Sequence, residues 1–476
     1  MSVSIQQVQP PLEFIPPAFN PVVLRLMQLL MPGWQRFGTQ ISEIEADRVE
    51  VLADLYQQFQ TGKVRFMMAF RHPSVNDPVV MANLLWQKVP QAARQHKIPL
   101  QKPTHAHFIY DRGIPLWAGQ FVGPLYSRLG CTPIQRGKID RAGLKSIREL
   151  FANGPFPMAA APEGATNGHN EVISPLEPGI AQMGFWCAED LAKAGRSEAV
   201  WVVPIGIQYR YVNAPWQRIE QLLGQLEAES GLTPTSIPQI PLQPLPGDRE
   251  VTVLYARLYQ LGEHLLTLME QYYSQFYNKP LIPKASPSSA GEPDQAASME
   301  ARSFANRLQN LLDVALQVAE EYFDLQPKGS VIDRCRRLEQ AGWERIYRED
   351  IKNLESLSPL ERGLADRLAE EASLRMWHMR LVESFVAVTG KYVLEKPTVE
   401  RFAETALLIW DMITRIKGGN PFYRPQLGSQ RAYLKIGEPI SISARWETYQ
   451  SSRRNAKQAV TDLTQDIQTA FEAMIF

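Results

Sequence analysis

At 476 residues the chain exceeds one domain of ordinary size, and ~100–200 residues per domain implies two or three units. Fifty basic residues balance fifty acidic ones, so no global field favours nucleic acid. No stretch reaches the ~18 consecutive apolar residues of a membrane-spanning helix. Cys131, Cys187 and Cys335 lie too far apart for a disulfide framework or a metal pattern, and the first residues lack the basic-then-apolar pattern of a signal peptide.

In chain order, residues 20–34 predict a short apolar helix ending in Trp34, long enough to lie in a membrane interface and too short to cross one. Packing of that helix on its own domain is the competing reading. The apolar run Val64–Phe70 predicts a strand, and it runs straight into Arg71-His72-Pro73-Ser74-Val75-Asn76-Asp77. A histidine titrates near neutral pH and can take a proton from a hydroxyl, while a carboxylate on its other ring nitrogen fixes the tautomer and stabilises the imidazolium. Taken singly, Asp77 before Pro78 reads equally well as a helix cap, and His72 as a satisfied histidine at a strand end. No Gly-x-Ser-x-Gly elbow occurs, so a covalent serine mechanism has no motif. His105 and His107 alternate on one strand face without a spaced partner ligand, which favours surface or core histidines over a metal site.

Beyond them, residues 115–129, 141–153 and 178–195 carry apolar residues at helical spacing. Short strand-like runs precede Arg136 and the Pro162-Glu163-Gly164 triplet, and residues 200–207 form another. The alternation predicts an α/β fold with a mostly parallel, buried sheet flanked by helices.

These blocks, His72-x4-Asp77, Gly130-x3-Ile134-x-Arg136, Pro162-Glu163-Gly164 and Val203-Pro204-Ile205, stand in the order found in PlsC-type glycerolipid acyltransferases, and residues 63–211 resemble that family. The resemblance implies the glycerolipid acyltransferase fold and catalysis by His72 and Asp77. It also implies substrate binding by Arg136, Glu163 and Gly164; Lys138, two residues after Arg136, is a further candidate phosphate contact. Structural alternatives are a turn glycine at Gly164 and a solvated loop at Arg136-Gly137-Lys138. Arg71 departs from the usual asparagine before the histidine; its guanidinium suits a substrate phosphate or a pairing with Glu163 or Asp77, and pairing is the favoured reading. The third block ends Ala165-Thr166-Asn167-Gly168 instead of carrying an arginine, so Thr166 joins the expected binding residues and the ending resembles lysophospholipid-acylating branches.

The family's apolar-x-Ile-Gly-[Glu/Lys]-Pro-Ile strand is matched only far downstream, by Leu434-Lys435-Ile436-Gly437-Glu438-Pro439-Ile440. The intervening stretch shows helical periodicity at residues 214–231, 250–278, 299–324, 360–392 and 399–417. We therefore expect residues 1–60 as an N-terminal interfacial helical segment and 61–213 as the first part of the catalytic domain. Residues 214–430 would be a large all-helical insertion with a flexible linker near 280–298, and 431–476 a returning strand and terminal helix. The aromatics of its second helix, Tyr255 to Tyr277, read as core, with a lid or acyl-tunnel wall as the alternative.

The expected activity is transfer of a fatty acyl group from a thioester of acyl carrier protein or coenzyme A to the hydroxyl of a lysophospholipid such as lysophosphatidate. It would take place on a membrane surface facing the cytoplasm, with no metal or redox cofactor. Two readings compete. One is an acyltransferase for a pigment, sterol-like or glycolipid hydroxyl, kept open by the missing arginine. The other is a silent lipid-binding scaffold, opposed by the intact His72 and Asp77.

Overall fold

The computed structural model describes residues 6–135, 139–232, 249–279, 281, 293–385, 390–421 and 423–476. The chain divides into two compact units, Leu12–Asn213 with Gly428–Phe476, and Met1–Pro11 with Ala214–Leu427.

The first unit is built on an eight-stranded sheet: β1 (Ile41–Asp47), β2 (Val64–Phe70), β3 (His107–Asp111), β4 (Thr132–Ile134), β5 (Met158–Ala160), β6 (Ala199–Tyr211), β7 (Gln430–Ile436) and β8 (Ile440–Ser441). Its order is β1-β7-β6-β2-β5-β3-β4, with β8 on β6; pairings are parallel except those of β7 and β8 with β6. Every residue of β2 is buried, as a central strand covered on both faces requires. Its alternation sorts the core. Phe66, Met68 and Phe70 join Leu52, Tyr56, Val80 and Leu84 on one side, while Met67 and Ala69 join Ile147, Phe151, Phe185, Leu463 and Ile467 on the other. Arg65 is admitted to this strand because Nε donates to the Ala152 carbonyl at 2.7 Å and Nη1 to that of Gly154 at 2.9 Å.

β7 lies between β1 and β6, pairing Ala432 with Ile44 and with Tyr209. The N-terminal segment is not purely helical: after the helix Pro21–Gly38 it supplies β1 and a second helix, Val49–Gln60. Residues 115–129 form two short helices, Ile114–Ala118 and Val122–Arg128, separated by Gly119 at φ +103°, a backbone angle that glycine adopts readily.

The second unit is helical, with helices Trp216–Glu229, Arg249–Tyr277, Pro293–Phe323, Val331–Ile346, Pro359–Phe385, Tyr392–Glu395 and Val399–Ile416. Its core gathers Leu266, Tyr273, Leu312, Leu316, Leu338, Ala369 and Met379. Val8 also packs there, its N–H donating to Asp366 Oδ1 at 2.9 Å. Of the aromatics on Arg249–Tyr277, Tyr255 and Tyr273 are buried and Phe276 is exposed. Most of the expected linker lies outside the described residues, although the helix Pro293–Phe323 begins within its last part.

Candidate active site

β2 ends at Phe70, and Arg71 continues its ladder by donating its N–H to the Ile205 carbonyl of β6 at 3.0 Å. The chain then turns through Pro73 and Ser74 into the helix Asp77–Asn83. This places His72 at the carboxyl end of a central parallel strand, where open α/β sheets carry their sites.

His72 Nδ1 lies 2.8 Å from Asp77 Oδ2, which also accepts the Ser74 N–H at 3.0 Å. With Nδ1 donating, Nε2 holds the lone pair, and among the described residues it has no hydrogen-bond partner. The His72 side chain is 24% exposed and that of Asp77 fully enclosed, so the imidazole is reachable and the carboxylate is not. Asp77 is thus no side-chain cap of its helix; Asn76 stands at the cap position without a side-chain bond. The second oxygen, Oδ1, accepts from the Tyr209 hydroxyl on β6. Burial first, then the Asp77 charge, pushes the Tyr209 phenol far above its usual pKa, which keeps the proton on the donor.

Glu163 follows β5 in the neighbouring loop. Its Oε1 accepts the His72 N–H at 2.8 Å and Arg71 Nε at 3.4 Å, and its Oε2 accepts Asn167 Nδ2 at 2.9 Å and the Ser174 N–H at 3.2 Å. Arg71, 1% exposed, also donates Nη1 to the Asn170 carbonyl at 2.6 Å and Nη2 to those of Val172 at 2.8 Å and His169 at 3.3 Å. In this conformation neither Arg71 nor Glu163 is presented to a ligand: the two pair with each other and tie the His72 loop to residues 163–174. Gly164 sits at φ +73° and donates its N–H to Ala161 at 3.3 Å, a backbone angle that would cost another residue ~1–2 kcal/mol. Thr166 is exposed on the same loop. Arg136 and Lys138 lie outside the described residues.

The loop's own backbone donors are mostly engaged. His72 N–H serves Glu163, Ser74 N–H serves Asp77, and Asn76 N–H serves Ser74 Oγ at 3.2 Å, so among the described residues only Val75 N–H in this turn has no bond. His105 and His107 are buried neutral groups: burial lowers each to about 4, and they hydrogen-bond the Leu129 and Gly130 carbonyls at 2.8 and 2.7 Å.

Residues 50–208 match the family model described as Acyltransferase, and the mostly parallel sheet with flanking helices is that of an α/β acyltransferase domain. No curated protein and no solved structure matches the chain significantly.

Sequence reasoning missed Tyr209, Asn167 and Asn170. A signal for Tyr209 existed: Ile205, Ile207 and Tyr209 share one face of β6, and a tyrosine on a buried face needs a partner for its hydroxyl.

Proposed function

We propose that the protein moves a fatty acyl group from a thioester, carried on acyl carrier protein or coenzyme A, to the hydroxyl of a lysophospholipid such as lysophosphatidate. The observation that carries this reading is the partner-free Nε2 of His72 backed by the enclosed Asp77, within a domain of an acyltransferase family. Nε2 takes the proton of the acceptor hydroxyl as its oxygen attacks the thioester carbonyl carbon, and Asp77 stabilises the imidazolium. When the tetrahedral intermediate collapses, the C–S bond breaks and the imidazolium returns the proton to the departing thiolate. The products are an ester and a free thiol, with no metal or redox cofactor needed. Val75 N–H is the turn's remaining candidate donor to the oxyanion. Arg136 and Lys138 are proposed to hold the acceptor phosphate, and Thr166 is proposed as a further acceptor contact.

A membrane surface is the proposed workplace. Among the described residues no helix is long and apolar enough to cross a membrane. The helix Pro21–Gly38 buries Leu24 and Met31 yet exposes Val22, Leu26, Leu29, Leu30, Trp34 and Phe37, with two arginines and no acidic residue. Such a face suits the boundary of an anionic bilayer.

The test is thioester-dependent acyl transfer by purified protein to a panel of lysophospholipid, glycolipid and sterol acceptors. His72→Ala should lose ~10²–10⁴-fold in turnover while still binding vesicles. Near-normal transfer by that variant refutes the general-base reading.

A further inference from the structure

We propose that Tyr209 is a positioning residue of this centre: its phenol holds Oδ1 of Asp77 and so fixes both the aim of His72 and the pH at which His72 serves as base. The proposal rests on the assignment of His72 as general base. Geometry gives the reason. The Asp77 carboxylate has no access to solvent, so its charge depends on protein donors: His72 Nδ1 at 2.8 Å and Ser74 N–H at 3.0 Å on Oδ2, and the Tyr209 hydroxyl on Oδ1. Without the phenol, one buried oxygen loses its donor and the carboxyl group loses the contact that stops it rotating away from the imidazole.

Tyr209 is itself held. Its N–H donates to Asn170 Oδ1 at 2.6 Å, and the Asn170 carbonyl receives Arg71 Nη1 at 2.6 Å. Arg71 pairs with Glu163, whose Oε1 receives the His72 N–H at 2.8 Å. His72 is therefore gripped twice, at its ring through Asp77 and Tyr209 and at its backbone through Glu163 and Arg71. The two arms meet at Asn170, closing a hydrogen-bonded circuit across the end of β2, the strand β6 and the loop after β5. A circuit of buried, mutually satisfied groups is expected to hold its members in one geometry, and its effect is measured by coupled substitutions.

The charged groups around the phenol are few. Asp77 faces it directly and the Ser74 side chain also hydrogen-bonds it, His72 lies on the far oxygen of the Asp77 carboxylate, Arg71 and Glu163 pair with each other, and Arg210, next along β6, pairs with Glu171 at 3.2 Å. The sign of the effect follows. A hydrogen bond to Oδ1 disperses the carboxylate charge; removing it concentrates that charge beside the imidazole, stabilises the imidazolium and moves the acid limb of activity to higher pH.

The experiment compares pH profiles of kcat/KM for the full chain and Tyr209→Phe. The acid limb should move up by about 0.5–1 pH unit and kcat should fall ~10-fold, with acceptor KM unchanged, because Tyr209 acts through Asp77 and touches no substrate. Replacing Tyr209 by 3-fluorotyrosine, a nearly isosteric and stronger donor, should move the limb the opposite way and keeps the test decisive if Tyr209→Phe folds poorly. In an Asp77→Asn background the Tyr209→Phe loss should largely vanish. A wild-type pH profile in both Tyr209 variants, or a loss that persists in full beside Asp77→Asn, overturns the proposal. Wild-type turnover by His72→Ala would instead remove the base assignment on which it rests, so the two failures are distinguishable.

Discussion

Replacing Arg71 by methionine separates two roles that its place beside His72 allows. The side chain donates to Glu163 and to three backbone carbonyls, all within a nearly solvent-free pocket. Methionine fills the stem's volume but leaves the Glu163 carboxylate without its counter-charge, and breaking one side of a buried pair costs ~3–5 kcal/mol. For a unit of this size that corresponds to a fall in Tm of roughly 6–20 °C. Urea or thermal unfolding, read beside acceptor kinetics, is the assay. Exchanging both partners, Arg71→Met with Glu163→Gln, should restore part of the loss, because no charge is then left alone. Turnover should fall in the single variant for phosphate-bearing and phosphate-free acceptors alike. A variant with wild-type unfolding and a raised KM only for phosphate-bearing acceptors would refute this and return Arg71 to the substrate.

Two further outcomes are expected. His105 and His107 stay neutral when folded, with burial lowering both to about 4, whereas the unfolded chain protonates them near 6.5. Stability is therefore intact above pH ~6.5 and is lost as pH falls towards 4, by about 3 kcal/mol per histidine at most; urea midpoints measured across that window should fall, and a flat curve would refute it. In the exposed helix, Leu29→Glu with Phe37→Ser removes two apolar side chains, each worth ~1.5–3 kcal/mol when immersed, so co-sedimentation with anionic vesicles should weaken ~10²-fold while unfolding is unchanged. Unaltered vesicle binding would exclude this helix as the docking element.

What the sequence made legible is what local pattern carries. β2 is an unbroken apolar run, and the five-residue step from His72 to Asp77 spans one tight turn, so both elements are visible without tertiary information. Burial is not visible in that way. Whether Arg71 faces a ligand or Glu163 depends on the loop of residues 163–174 folding over it, a contact between segments about ninety positions apart. β1 was missed because Ile-Ser-Glu-Ile-Glu-Ala-Asp is mostly polar, as befits an edge strand. The helix Val331–Ile346 was missed for a related reason: Arg334 is buried yet charged, admitted by Glu320 at 2.7 Å, and such pairs dilute the apolar period.

The returning strand shows how topology hides in a sequence. β6 and β7 pair antiparallel from Ile205 with Ile436 to Tyr211 with Gln430, and the next pair of residues closes with Val212 N–H on the Ser429 carbonyl at 2.9 Å. Within the sheet unit the chain thus leaves and re-enters at adjacent points, and in outline β6 and β7 form a hairpin whose turn has been replaced by Ala214–Leu427. Loop closure grows only as the logarithm of length, ~0.6 kcal/mol for each doubling. A connection with its own hydrophobic core carries even less of that cost, because its ends do not wander as those of a random chain would. The long separation therefore argues against neither strand. Periodicity cannot reveal such a pairing, since hairpin signals are read across two to five residues. Only the Ile436-Gly437-Glu438-Pro439-Ile440 pattern, carried by resemblance, joined the two halves of this sheet before its register was known.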